Sequence, residues 1–322
     1  MTIALDAIAI VDGTLQTATP LIFAALAGLF SEKAGLVDIG IEGKMLAAAF
    51  TAAALSAVTG SALLGLTGGI AISTLLAWLH GFACITHRGN QVVSGLAINF
   101  LCAGLTVSLS NAWFGQGGQT PPLSGTARFQ EIRLPTIDFL RHFPGLETLY
   151  GRVLSGHTAF VYLAFVAVVA TWWLIYDSRL GLRLRAVGEH PTAVDTAGIS
   201  VERLRFFAVT AAGVLSGVAG TYLSVAQNSS FSRDMTAGRG YLALAALIFS
   251  NWRPGRVLAA CLLFGLLDAL QIRFQGAPVF GVEVPIELMQ ALPYVFTVVM
   301  LAGLVGESTP PRALGRPYTR SR

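Results

Sequence analysis

The chain has 322 residues, of which 54% are hydrophobic and only 12% charged, with a mean hydropathy of +0.67. Soluble domains carry roughly 25% charged residues, and stretches free of Asp, Glu, Lys and Arg such as Met45–Leu79 and Gln91–Ala127 have no purpose in water, so the surrounding solvent is a lipid bilayer. The net charge of +4 does not mark a nucleic-acid binder: its sources sit in connectors, Arg179, Arg183, Arg185, Arg203 and Arg205 in one and Arg312, Arg316, Arg320 and Arg322 in another, where basic residues set membrane topology.

A hydrocarbon core about 30 Å thick requires roughly 20 apolar residues per helix. Gly13–Phe30 is the first such segment, preceded by Asp6 rather than by a basic region. It is therefore expected to direct insertion itself, without a cleavable signal. The polar connector Ser31–Asp38 leads to a second helix from about Ile39 to Thr59, and Gly60 with Ser61 turns the chain into a third, Ala62 to about Ile85. A short basic link with His87 and Arg88 precedes a fourth, about Gln91–Trp113.

Residues 115–157 form the long polar segment, rich in the turn formers Gly117, Gly118, Pro121, Pro122, Pro135 and Pro144, and are expected on the outer side. Thr158–Tyr176 is the fifth helix. It is apolar on every face, which excludes the alternating strands of a membrane barrel, and Trp172, Trp173 and Tyr176 at its end form an interfacial anchor. Residues 177–205 make the basic connector, within which His190–Gly198 has the makings of a short helix opened near Pro191 and closed by Gly198. Phe206 to about Ala226 is the sixth helix.

The apolar stretch Tyr241–Trp252, bounded by Arg239, Arg253 and Pro254, is too short to cross. It predicts a broken or re-entrant element, which survives at membrane depth only where protein or water satisfies its backbone. Arg256 to about Ile272 and Glu287–Val305 complete the set, with residues 307–322 as a basic cytoplasmic tail. The fold class is thus all-α: a single polytopic transmembrane bundle over 1–322 with about eight to nine spanning segments and an outer N-terminus.

Glycine is frequent, 35 residues in all; Gly213, Gly217 and Gly220 have the spacing that lets helix backbones approach closely. Cys84, Cys102 and Cys261 sit in apolar surroundings with no metal-like spacing, and neither disulfide nor metal is expected.

Two stretches are too polar for their setting. Asp38, Glu42 and Lys44 enter the start of the second helix, where carboxylates suit capping and the positive end of the helix dipole as well as substrate contact. Gly238 and Gly240 flank Arg239 immediately before the short apolar run, as at the half-helix ends that face sites in transporters. Asn99 in the fourth helix and Asp268 in the eighth are polar groups at membrane depth, costly unless they face a cavity or a partner. Asp38, Glu42, Asn99, Arg239 and Asp268 are the translocation-pathway candidates.

Three stretches in this order, FSEKAGLVDIGIEG (30–43), RAVGEHPTAVDTAGIS (185–200) and GRGYLALAALIFSNWRP (238–254), resemble the permease subunits of ATP-binding-cassette importers in the branched-chain amino acid, ribose and nucleoside permease family, most of all its nucleoside arm. The family often has Asn where Asp38 stands and Gly where Ser250 stands. The resemblance implies import of a nucleoside or similar small polar solute across a bacterial cell membrane by alternating access. It also implies that 185–200 contains the helix that docks on the ATPase, formed or bordered by Gly188, Glu189, Pro191, Ala193 and Gly198. Implied partners are a cytoplasmic ATP-binding-cassette ATPase, a second permease subunit (a related chain or this one), an external substrate-binding protein or lipoprotein, and membrane lipid.

No G-x-x-x-x-G-K-[ST] stretch is present, so ATP would be hydrolysed by a partner and no cofactor is expected on this chain. Other importer substrates, such as a simple sugar or a branched-chain amino acid, are the nearest alternatives. A secondary transporter or channel working without an ATPase is the rival class. An intramembrane enzyme is disfavoured, because His80, His87, His142, His157 and His190 are scattered.

Overall fold

The computed structural model describes residues 2–133, 150–151, 155–274, 278–279, 282–283, 286–299 and 308–319. The helices are α1 (Thr2–Lys33), α2 (Ile41–Thr59), α3 (Ala62–Gly81), α4 (Gln91–Phe114), α5 (Ala159–Tyr176), α6 (Arg179–Glu189), α7 (Pro191–Thr196), α8 (Val201–Thr221), α9 (Arg239–Phe249), α10 (Pro254–Phe274) and α11 (Ile286–Val299). Wide π-turns extend α3 through Thr86 and α8 through Gln227. Two small antiparallel pairs occur outside the bundle, β1 (Glu131–Ile132) with β2 (His157–Thr158), and β3 (Pro278–Val279) with β4 (Val282–Glu283).

Seven of the described helices are long and apolar enough to cross a membrane: α1 to α5, α8 and α10. The broken element α9 has 11 residues and α11 is described for 14. The remainder of the last expected span, 300–305, lies outside the described residues, as do 134–149 and 152–154 of the expected outer loop and Glu307, Arg320 and Arg322 of the tail.

α1, α2 and α8 are buried over most of their length and form the centre. α3, α4, α5 and α10 expose rows of large apolar side chains, for example Val92, Val93, Phe100 and Leu101 on α4 and Val166, Val169 and Trp173 on α5. In a bilayer this outward face needs no explanation, because hydrocarbon replaces water as its neighbour.

Small residues set the central spacing. A Cβ on Gly213 would stand 2.7 Å from the Thr74 Cα, one on Gly217 2.6 Å from the Ile70 Cα, and one on Gly220 would strike the Met45 carbonyl. α8 therefore lies flush against the backbones of α3 and α2. Gly220→Leu is expected to cost at least the 1 to 3 kcal/mol or so of an overpacked core, read as a fall of several degrees in the unfolding temperature of the detergent-solubilised protein.

α1 is longer than the apolar window suggested because its polar residues bond along the helix; the Gln16 amide donates to the Asp12 carboxylate and the Thr14 hydroxyl to the Ile10 carbonyl. Pro20 lies inside α1 and has no N–H to offer the Gln16 carbonyl. That carbonyl instead accepts the Tyr222 hydroxyl at 3.0 Å.

The basic connector is more ordered than the sequence suggested. α6 is capped by the Ser178 hydroxyl, which accepts the Gly181 N–H, and buries Leu184 and Val187. α8 starts at Val201, not Phe206, because Ser200 caps it and Arg205 is buried: its guanidinium donates to the carbonyls of Ala34 and Arg316. The 308–319 segment closes this basic end of the bundle, where Ala313 N–H donates to Gly188 and Gly315 N–H to Gly35.

At the opposite end, Gly60 turns α2 into α3 with a φ of 70°, a left-handed conformation that glycine adopts without strain. The loop after α4 clamps the chain that leaves α8. Thr120 N–H donates to the Phe231 carbonyl and the Thr120 hydroxyl accepts the Phe231 N–H, Leu123 N–H donates to Ser229, and Phe129 N–H donates to Val225. The chain then crosses extended and turned until α9 begins at Arg239 and runs to the basic end, where the Trp252 indole donates to the Glu32 carboxylate. The expected broken element is thus a half-length helix preceded by a non-helical stretch.

Candidate translocation site at the broken helix

A helix of 11 residues that starts inside the bundle leaves its first N–H groups facing protein rather than water. Glu42, one residue into α2, meets that need. Its carboxylate accepts the Gly238 N–H at 2.9 Å and the Gly240 N–H at 2.6 Å. The contact depends on both glycines: Gly238 has a φ of 78°, and a Cβ on Gly240 would lie 2.7 Å from the Glu42 carboxylate and 2.8 Å from its backbone.

Asn99 on α4 completes the junction. Its side-chain oxygen accepts the Gly43 N–H at 2.8 Å, while its amide donates to the Ile39 carbonyl at 3.0 Å and to the Tyr241 hydroxyl at 2.8 Å. One amide thereby ties the beginnings of α2 and α9 to α4. Gly43 is fitted against it, since a Cβ there would stand 2.7 Å from the Asn99 Cα.

Arg239 follows directly, half-buried, with one guanidinium nitrogen donating to the Met235 carbonyl at 3.2 Å. Its Nε is buried without a hydrogen-bond partner among the described residues. Asp268 on α10, half-buried, lies within the field of Arg239. The Tyr294 hydroxyl of α11 donates to the Ala237 carbonyl at 3.3 Å and senses the charges of Asp268, Glu42 and Arg239. The structure thus gathers Glu42, Asn99, Arg239 and Asp268 around the start of α9. Tyr241 and Tyr294 join them, and sequence reasoning passed over both.

Asp38 is placed differently. It is fully buried and paired with the Lys44 ammonium, beneath the loop that Asn99 holds through Ile39. Burial alone would raise its carboxyl, but Lys44, the neighbouring His80 and the Gly40 N–H together hold it below its ordinary value. His80 braces the same loop by contacts to the Val37 carbonyl at 3.1 Å and the Ser94 hydroxyl at 3.0 Å, and the Gln91 side chain accepts the Val37 N–H. Asp38 therefore supports the site from behind.

At the basic end, Ala193 and Gly198 are exposed on and after α7, while Val194 is buried against Val187, Val201 and Leu204. Pro191 opens α7 and is half-exposed. Glu189 is exposed, with its carboxylate 3.5 Å from the Arg312 N–H. Gly188 differs from these four: it is buried, and a Cβ there would collide with the Lys33 carbonyl. It borders this surface from the inside.

A bundle of membrane-crossing helices with a broken helix, capped from a neighbouring helix, is an arrangement found in membrane transporters. The branched-chain amino acid transport system / permease component family matches residues 10–305. A permease protein of Haloferax volcanii assigned to a glucose ABC transporter, TsgC13, is 38% identical over 91% of this chain and 90% of its own. The guanosine ABC transporter permease protein NupQ of Bacillus subtilis is 33% identical over 97% of both chains. The nucleoside ABC transporter permease protein NupC of Lactococcus lactis is 34% identical, also over 97% of both. The chain belongs to the branched-chain amino acid transport system permease family. It is a multi-pass membrane permease subunit of an ABC importer.

Proposed function

We propose that this subunit translocates a nucleoside, by alternating access, past the start of α9. The observation that carries the reading is the Glu42 cap. In discontinuous transporter helices a free positive helix end attracts anionic substrate groups; here the protein's own carboxylate occupies that end, and Asp268 lies within the field of Arg239. The site then suits a neutral solute with several hydroxyls and ring donors, to be met by Asn99, Tyr241 and Tyr294, rather than a nucleotide. The guanosine and nucleoside permeases among the relatives support the same substrate class.

The glucose assignment of the relative at 38% identity favours a second reading, a sugar. Uptake of labelled guanosine into proteoliposomes holding the complete transporter decides between them. Unlabelled nucleosides should abolish uptake and glucose should leave it intact; the reverse pattern defeats the nucleoside reading.

The energy would come from a cytoplasmic ATP-binding-cassette ATPase docked on α7, with a second permease subunit and an external substrate-binding protein completing the importer. The exposed side of α7 would meet the ATPase while Val194 passes the push to α8. Ala193→Arg is expected to reduce co-purification of the ATPase by about tenfold, the effect of roughly 1.4 kcal/mol, with insertion unchanged because the side chain is exposed. Undiminished co-purification would remove α7 from the docking surface.

A further inference from the structure

Between the basic ends of α5 and α10 lies a cavity of about 610 Å³ that the transport site does not use. Among the described residues, Lys33, Arg253 and Arg256 line it together with Trp172, Tyr176 and one acid, Glu189. Among these described groups three cations face one carboxylate, and the Glu189 carboxylate also approaches the Arg312 N–H at 3.5 Å. Lys33 feels Glu189 first and then the positive fields of Arg185 and Arg253, and Arg185 stacks over the Tyr176 ring at 5.0 Å. Like charges gathered this closely repel unless an anion joins them.

The anion's source follows from the remaining walls. Trp172 is half exposed and lies beside Trp173 and below Val166 and Val169 on the lipid-facing side of α5, where aromatic side chains mark the level of lipid headgroups. Arg253 and Arg256 are exposed, and nothing lies within 4 Å of where a Cβ of Gly255 would be, so the cavity is open there. Cations at headgroup depth, an aromatic rim and an apolar helix face above are the features by which a basic interhelical pocket holds an anionic lipid. We infer that this cavity binds the headgroup of an anionic phospholipid, with an acyl chain lying along the outer face of α5.

The full chain, purified in mild detergent, would be titrated with phosphatidylglycerol and with phosphatidylcholine and the bound lipid counted by native mass spectrometry. Wild-type protein should retain phosphatidylglycerol in preference. The double variant Arg253→Gln, Arg256→Gln should lose that preference by about tenfold or more, with phosphatidylcholine retention and unfolding temperature unchanged. Equal retention of the two lipids by wild type, or an unaltered preference in the variant, overturns the proposal. So does displacement of the lipid by millimolar inorganic phosphate, which would make the pocket a general anion site. Loss of ATPase co-purification in the variant with lipid retention intact would assign the cations to the ATPase instead.

Discussion

Glu42→Ala is expected to lower nucleoside uptake by about a hundredfold while leaving the chain inserted and folded. The Glu42 carboxylate makes two hydrogen bonds to the start of α9, each of the charge-assisted kind worth roughly 1.5 to 3 kcal/mol. Losing both leaves the Gly238 and Gly240 N–H groups without their acceptor and releases α9 from α2. A loss of about 3 kcal/mol in holding the site corresponds to two decades. Glu42→Gln keeps one acceptor oxygen and should fall between. Uptake in proteoliposomes, normalised to inserted protein, measures the effect; wild-type uptake by the alanine variant would show that the cap does not position the pathway.

The second large effect belongs to stability. Lys44→Met leaves the Asp38 carboxyl fully buried and without its counter-charge, so that it must either hold a charge away from water or take up a proton, a change that typically costs about 3 to 5 kcal/mol. Against the 5 to 15 kcal/mol or so that holds a typical domain together, such a loss should sharply reduce the yield of folded protein and its unfolding temperature in detergent. Adding Asp38→Asn removes the stranded charge, and the double variant should recover most of the loss. If the single variant melts like wild type, the pair does not contribute to stability in the way its burial implies.

The membrane spans were legible because excluding charge from hydrocarbon is a one-dimensional rule, and the ends of α2, α4 and α5 fall within a few residues of where polarity changes. The half-helix was legible for the same reason, its apolar run being too short. What joins the candidate residues was not. Glu42 and Gly238 are 196 residues apart, and only the packed bundle brings a carboxylate suited to capping its own helix onto the start of another. Tyr241 was hidden within an apolar run, where a tyrosine resembles any aromatic until its hydroxyl meets Asn99. α6 was missed because its arginines lowered the apparent hydropathy, although Ser178 followed by Leu180, Leu184 and Val187 carried the cap and the stripe. Arg205 shows the complementary error: a cation assigned to a solvated connector is buried, because backbone carbonyls of Ala34 and Arg316 receive its guanidinium.

The glycine contacts of α8 have a mechanical consequence. With its backbone touching α3 at Gly213 and Gly217 and α2 at Gly220, α8 would drag its neighbours in any sliding movement, and the three helices would then act as one stiff lever. From Val201 to Gln227 that lever comprises 27 residues, about 40 Å at 1.5 Å per residue. A tilt of about 5° applied beside Val194 would swing its far end by roughly 3.5 Å over such a length, comparable to the thickness of a purine ring.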